Sequence, residues 1–296
     1  MKETFHDRWR ANRRGALAMS ASMALITVND SMMKLASEHL PAAQTIGIRG
    51  VFAMLWVLFA VAAAGQARQL RHSIELRTIG RAALDVAGTF SYLFALFHMP
   101  LAEAVAINMA APLIMVLFAA VFLGESVRWQ RLATMLVGFG GMLLVVRPGG
   151  TSFTWWTLLC LLATVLNAVR DVFTKRIPLR VPSAVVSFAA ASAITFTGLS
   201  ITTVQGWQPV TPGEFLLLAG ASAFLASSYY LLIVAMRAGD ISAISGFRYC
   251  GLPAAALLGW LIWGYLPDAV ACIGMGLLVV AGLGLLHHER AGARMA

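Results

Sequence analysis

Two short stretches carry the acid–base chemistry of this chain. Thr27-Val28-Asn29-Asp30-Ser31-Met32-Met33-Lys34 puts an acid and a base four residues apart inside an otherwise apolar run. On a helix, positions i and i+4 share a face, so Asp30 and Lys34 can partner each other. A charge inside a membrane-length apolar segment is expensive, and it marks a site with a partner to be found. Ala168-Val169-Arg170-Asp171-Val172-Phe173-Thr174-Lys175 repeats the pattern. Asp171 answers Asp30, Lys175 answers Lys34, and Pro182 answers Pro41, all at an offset of 141 residues. Three matches in one register predict a duplicated half.

The elements that must position these groups follow from composition. The chain has 296 residues, 59% of them hydrophobic and only 12% charged. A soluble domain carries about a quarter charged residues, so the class is a polytopic all-α membrane protein. Ten apolar runs of membrane-spanning length lie near 15–37, 43–64, 78–98, 103–123, 130–147, 154–175, 183–204, 213–236, 241–264 and 267–287. Short connections leave no room for a soluble domain. The first run has no small-residue cleavage site and is expected to be a retained span rather than a signal peptide.

The net charge of +9 sits in alternate connections rather than on one basic face. Basic residues gather before the first run, at Arg68 to Arg81, at Arg128 and Arg131, at Lys175 to Arg180, at Arg237 and in the tail. Such alternation is a topology signal and places both termini in the cytoplasm, which requires an even number of spans. It also argues against nucleic-acid binding, which needs a basic face interleaved with stacking aromatics. Five spans per half is odd, so the halves, 1–147 and 148–296, insert with opposite orientation. Inverted repeats of this kind are an architecture of secondary transporters. Pro148-Gly149-Gly150 is the expected midpoint.

Further polar and aromatic groups fall within the runs. Glu103 opens the fourth run and can cap its helix or stand as an outer-gate carboxylate. Asn108 and Pro112, one turn apart, predict a local helix break whose freed backbone groups face a cavity. Arg248, flanked by Phe247 and Tyr249, can grip a carboxylate bidentately or form a buried pair with an acid such as Asp30. Arg49 and Asp85 are expected to make structural bridges between helices. Tyr92 and Phe94 in the third run, and Tyr229 and Tyr230 in the eighth, offer π-faces for a cation, purine or flavin, or simply pack the bundle. Asp30 and Asp171 can bind a cationic substrate, carry a coupling proton, or pair with Lys34 and Lys175. Trp155 and Trp156 read as interfacial anchors. Gly251, Ala255 and Gly259 form a small-residue stripe for close helix packing. Cys160, Cys250 and Cys272 have no CxxC spacing and read as buried hydrophobes. His287-His288-Glu289 reads as a solvated end, and no metal or cofactor is expected.

Taken together, the chain resembles the drug/metabolite transporter superfamily, EamA type, over nearly its whole length. The resemblance rests on Asn29-Asp30 with Lys34, Arg49, Ala111-Pro112, Phe122-Leu123-Gly124-Glu125, Trp129-Gln130-Arg131 and Val137-Gly138-Phe139. With Asp171, Lys175 and Phe247-Arg248-Tyr249 added, the chain is most similar to the branch described as S-adenosylmethionine uptake transporters, close to riboflavin transporters. Tyr265 departs from the pattern, which often has a second Glu after Gly264. The resemblance implies two inverted five-helix repeats around a central cavity, in a bacterial cytoplasmic (inner) membrane. It implies alternating access to a small polar organic metabolite, with S-adenosylmethionine or a similar cationic or aromatic solute first and amino-acid or related metabolite export second. Coupling to protons or a counter-substrate is compatible with either. No GxxxxGK[ST] phosphate loop, HExxH or GxSxG occurs in the sequence, which argues against ATP-driven pumping and against an integral-membrane enzyme.

Overall fold

The computed structural model describes residues 5–111, 113–114, 118, 129–147, 154–174, 177–178, 180–238 and 245–293. Among these, ten α-helices follow one another in chain order: α1 Phe5–Ala36, α2 Ala42–Ala63, α3 Leu76–His98, α4 Leu101–Asn108, α5 Trp129–Val146, α6 Trp155–Thr174, α7 Ser183–Gln205, α8 Pro212–Ala238, α9 Gly251–Trp263 and α10 Ala269–Ala293. Two 3₁₀ segments, Ala67–Ile74 and Ser245–Cys250, precede α3 and α9. No strand occurs among the described residues. Among the described residues, four helices are long and apolar enough to cross a membrane by length and composition: α2, α6, α7, and α8 over Pro212–Leu232.

Local chemistry sets the helix ends. Pro41, Pro100 and Pro182 stand immediately before α2, α4 and α7, where a missing N–H costs nothing and a fixed φ favours the turn into a helix. Gly264 closes α9 at φ 68°, a left-handed conformation that a side chain would strain. Its N–H reaches the Trp260 carbonyl, and Tyr265 N–H reaches Gly259, so the chain turns back sharply and carries Tyr265 with it. The ninth span departs from the expected single helix over 241–264. Residues 241–244 lie outside the described set, and Phe247, Arg248 and Tyr249 sit on a 3₁₀ segment. Pro253 supplies the reason: it offers no N–H to the Tyr249 carbonyl, so regular α-helix starts only at Gly251.

Packing joins the first five helices to the last five. The main contacts are α1 with α8, α2 with α7, α5 with α10 and α3 with α6, followed by α3 with α7, α2 with α8, α1 with α9 and α4 with α9. Where α2 crosses α7, a Cβ on Gly198 would lie 2.8 Å from the Gly47 backbone. Where α5 crosses α10, a Cβ on Gly274 would lie 2.6 Å from the Gly141 carbonyl oxygen. Without a hydrophobic drive between helices in lipid, such small residues let backbones approach and gain van der Waals contact. On α9, Gly251 faces Met109 and Met23, while the nearest atom to a Cβ on Gly259 belongs to the carbonyl of its own Tyr265 turn. The close helix crossings therefore lie away from the predicted stripe.

Hydroxyl groups within the helices bond to their own backbone: Thr27 to Met23, Ser31 to Thr27, Thr164 to Cys160 and Thr202 to Gly198. This i−4 pattern lets a polar side chain sit in an apolar helix without an unmet donor. Large apolar side chains such as Trp56, Phe59, Phe196 and Leu216 face outward, as a lipid-facing surface allows.

Gln44 fixes the link between α7 and α8. Its amide donates to the Gln208 carbonyl at 2.8 Å and accepts from Gln208 N–H at 3.0 Å, while the side chain is fully buried. Gln44→Leu should destabilise the fold by about 2 kcal/mol, because both backbone groups lose their partner at once. The change should be read by thermal melting in detergent, with new proteolytic cleavage within 206–211. An unshifted melt would mean that the strap is held elsewhere.

Candidate functional site

A deeply buried polar cluster inside the bundle centres on Asp30. Asn29 Nδ2 donates to Asp30 Oδ1 at 2.9 Å, and Tyr92 from α3 donates its hydroxyl to Asp30 Oδ2 at 2.8 Å. Arg49 from α2 donates through Nη1 to Asn29 Oδ1 at 3.4 Å. Asn29, Asp30, Tyr92 and Arg49 are each at least nine-tenths buried. A carboxylate has about four acceptor positions, so two hydrogen bonds leave Asp30 further capacity. Three helices thus meet on one acid, with a cation held one amide away.

Lys34 does not pair with Asp30. Its ammonium donates to the carbonyls of Leu96 at 2.8 Å, Phe97 at 3.3 Å and Met99 at 2.9 Å. It also lies 5.6 Å from the Trp263 ring centroid. The last carbonyls of a helix have no intrahelical donors and carry partial negative charge. A four-carbon stem reaches those of α3 and leaves Asp30 to Tyr92. Lys34 is therefore a cap for α3, and the expected i,i+4 ion pair is absent.

Around Lys34 lies one end of the bundle. Glu38 accepts from Trp263 Nε1 at 2.6 Å, Glu103 in the first turn of α4 accepts from the Tyr265 hydroxyl, and Arg147 pairs with Asp268. Burial and the Glu103 carboxylate push the Tyr265 phenol above its ordinary range, so it stays a donor. A Glu at this position would face Glu103 as a second acid, whereas Tyr265 can donate to it.

The other end carries a charge network between α3 and α6. Asp85 accepts from Arg170 Nη1 at 2.9 Å and also pairs with Arg81. Arg81 Nε donates to Thr174 Oγ1 at 2.8 Å. Arg170 also binds Asp171 through Nε and Nη2, at 2.9 and 2.8 Å. Asp171 is thus a half-exposed member of an ion network and shares no hydrogen bond with the Asp30 cluster among the described residues. Lys175, its expected partner, lies outside the described residues.

The other predicted residues separate. Asn108 ends α4 and accepts from Asn167 at 3.4 Å, so the expected break occurs at Asn108; Pro112 lies outside the described residues. Tyr229 and Tyr230 are exposed, with Tyr229 within electrostatic reach of Arg49 and Arg170. Tyr249 is buried in the main apolar core. Arg248 is exposed and makes no hydrogen bond or ion pair among the described residues, so it does not pair with Asp30. Trp155 is exposed at the start of α6, and Trp156 stacks on His98 at 3.7 Å. No group of three or more metal-ligating residues is found among the described residues.

The sequence reading did not single out Asn167, Arg170 or the bridging position of Asn29. Arg170 carried a signal, since a cation adjoining Asp171 in an apolar run needs a partner. Asn29 occupies the corresponding position before Asp30.

Comparison with known proteins bears on this arrangement. Residues 13–147 match the EamA-like transporter family. The pseudopaline exporter of Pseudomonas aeruginosa is 28% identical over 93% of this chain and 96% of its own. A riboflavin transporter of Brucella anthropi is 28% identical over 77% of this chain and 82% of its own. The S-adenosylmethionine uptake transporter of Rickettsia bellii is 26% identical over 91% of this chain and 92% of its own. A solved crystal structure shares the fold with a TM-score of 0.64, at 23% identity, over 94% of this chain and 98% of the other. Residues 13–147 thus resemble the EamA-like transporter family, in line with the similarity to the drug/metabolite transporter superfamily read from the sequence.

Proposed function

We propose that this chain is a secondary carrier that moves a small polar organic metabolite across the bacterial cytoplasmic membrane by alternating access. The observation that carries the reading is the buried Asp30, held by Tyr92 and Asn29 with Arg49 beside it. An acid so placed in a membrane bundle is a functional group by default. The transporter names of the relatives support a carrier over an enzyme.

The helix pairing supports two inverted five-helix repeats, 1–147 and 148–296, and the basic residues of alternate connections support cytoplasmic termini. Exchanging α1 with α6 and α3 with α8 turns the α1–α8 contact into the α3–α6 contact. The same exchange maps α2–α7, α4–α9 and α5–α10 onto themselves. That is the pattern of a pseudo-two-fold axis between halves, and a substrate site near that axis follows. Charge networks at the two ends, Glu103–Tyr265 with Arg147–Asp268 and Arg81–Asp85–Arg170, are suited to opening in turn.

S-adenosylmethionine or a similar cationic, aromatic solute is the first substrate choice, because Asp30 can hold a cation and Tyr92 and Tyr229 offer ring faces. Similarity to a protein named an exporter equally supports outward movement of an amino-acid-like metabolite. Proteoliposomes holding the purified protein should take up labelled S-adenosylmethionine saturably, tested beside amino acids and riboflavin with and without a proton gradient. An amino acid moving instead would replace the substrate. Non-saturable flux, or none, would overturn the carrier.

A further inference from the structure

Arg49 is a buried cation with unused donors. Its only hydrogen bond among the described residues is the 3.4 Å contact from Nη1 to Asn29. Nε is sealed from solvent, and neither Nε nor Nη2 makes a hydrogen bond among the described residues. Apart from the exposed Arg248, three other cations of the bundle are well used: Lys34 by three carbonyls, Arg81 by Asp85 and Thr174, Arg170 by Asp85 and Asp171. A buried polar group left unpaired in a native fold calls for an explanation. The unpartnered Nε–Nη2 edge is the fork that receives a carboxylate through two parallel N–H bonds.

The opposite charge is close at hand, yet it does not fill this fork. Asn29 stands between Asp30 and Arg49, bonding one with its amide nitrogen and the other with its oxygen. Fixed charges of opposite sign held one amide apart, each with spare capacity, match a ligand that carries both signs. We infer that Arg49 binds the substrate carboxylate while Asp30 faces its cationic group, which makes the transported solute a zwitterion of amino-acid type. This rests on the carrier reading above and moves the carboxylate grip from Arg248, where the sequence placed it, to a residue expected to be purely structural.

The test is binding of matched pairs to the purified full chain: S-adenosylmethionine against decarboxylated S-adenosylmethionine, and methionine against methioninamide, with riboflavin alongside. Wild type should prefer the carboxylate-bearing member of a pair by about 30-fold, the range of a charged hydrogen-bonded contact. Arg49→Gln should cut that preference to under about 3-fold by weakening only the carboxylate-bearing member, and Arg49→Lys should restore part of it. A structural role would instead weaken both members alike, and that result overturns the proposal. So does a wild type that binds both members equally, which is decisive even where a variant fails to fold. Loss of preference in Arg248→Gln rather than Arg49→Gln also overturns it. Binding of riboflavin alone sinks this proposal and leaves the carrier standing. Binding of none of the five solutes overturns the carrier reading and this inference with it.

Discussion

Asp30→Asn should lower saturable flux by about 100-fold, with little change in melting temperature. The substitution keeps the size and one acceptor oxygen, so Tyr92 retains a partner and the packing of α1 against α3 survives. What it removes is the charge, and a hydrogen bond to a charged group in a dry site contributes roughly 1.5–3 kcal/mol. That interval corresponds to a factor of about 10 to 150. Tyr92→Phe removes one donor to Asp30 and should reduce flux by about 10-fold. Initial rates in proteoliposomes, normalised to inserted protein, decide both. Flux within about 2-fold of wild type in Asp30→Asn would remove the acid from the substrate path.

Asp85→Ala is expected to produce the largest loss of stability, at about 3 kcal/mol. Asp85 is buried and sits between two guanidinium groups, which themselves keep only 16% and 23% side-chain exposure. Removing the acid between them leaves two cations facing each other at the α3–α6 contact, with Arg170 still held by Asp171 and, among the described residues, Arg81 by Thr174 alone. Breaking a buried pair from one side costs more than forming it gains, because the remaining charge is stranded. The residual exposure of Arg81 and Arg170 sets the estimate at the lower end of that range. Asp171→Asn should shift stability by less than about 0.5 kcal/mol, since its side chain is 47% exposed and water can take its place. Equal melting shifts for the two variants would show that the network acts as one unit and that Asp85 holds no special position.

Helix positions were legible because a membrane demands long apolar runs, and runs of that length are visible in composition alone. The start of α1 was less legible. The apolar run opens near 15, but the helix begins at Phe5, since residues such as Arg and Ala continue a helix readily beyond the bilayer-length segment. The types of the site residues were legible too, while their partners were not. Asp30 and Lys34 share a face by periodicity, yet the orphan carbonyls at the end of α3 lie 62 to 65 residues away in sequence. Tyr92 was separated from Asp30 by the same distance. The repeat register that matched Asp30 with Asp171 also drew the two acids into equivalent roles. Arg170 prevents that equivalence, because it ties Asp171 to Asp85, whereas Asn29 leaves Asp30 at the centre of its own cluster.

The most direct test of a carrier is whether one position on a helix of the bundle can be reached from each side in turn. Tyr229 is exposed and lies within electrostatic range of both Arg49 and Arg170. A Tyr229→Cys variant, with Cys160, Cys250 and Cys272 replaced by Ala, would be labelled in sealed vesicles by a membrane-impermeant maleimide. Alternating access predicts labelling from either face, with saturating substrate on one side raising the rate at one face as it lowers the rate at the other. Equal, substrate-independent labelling from both faces at once would describe an open pore and contradict the account.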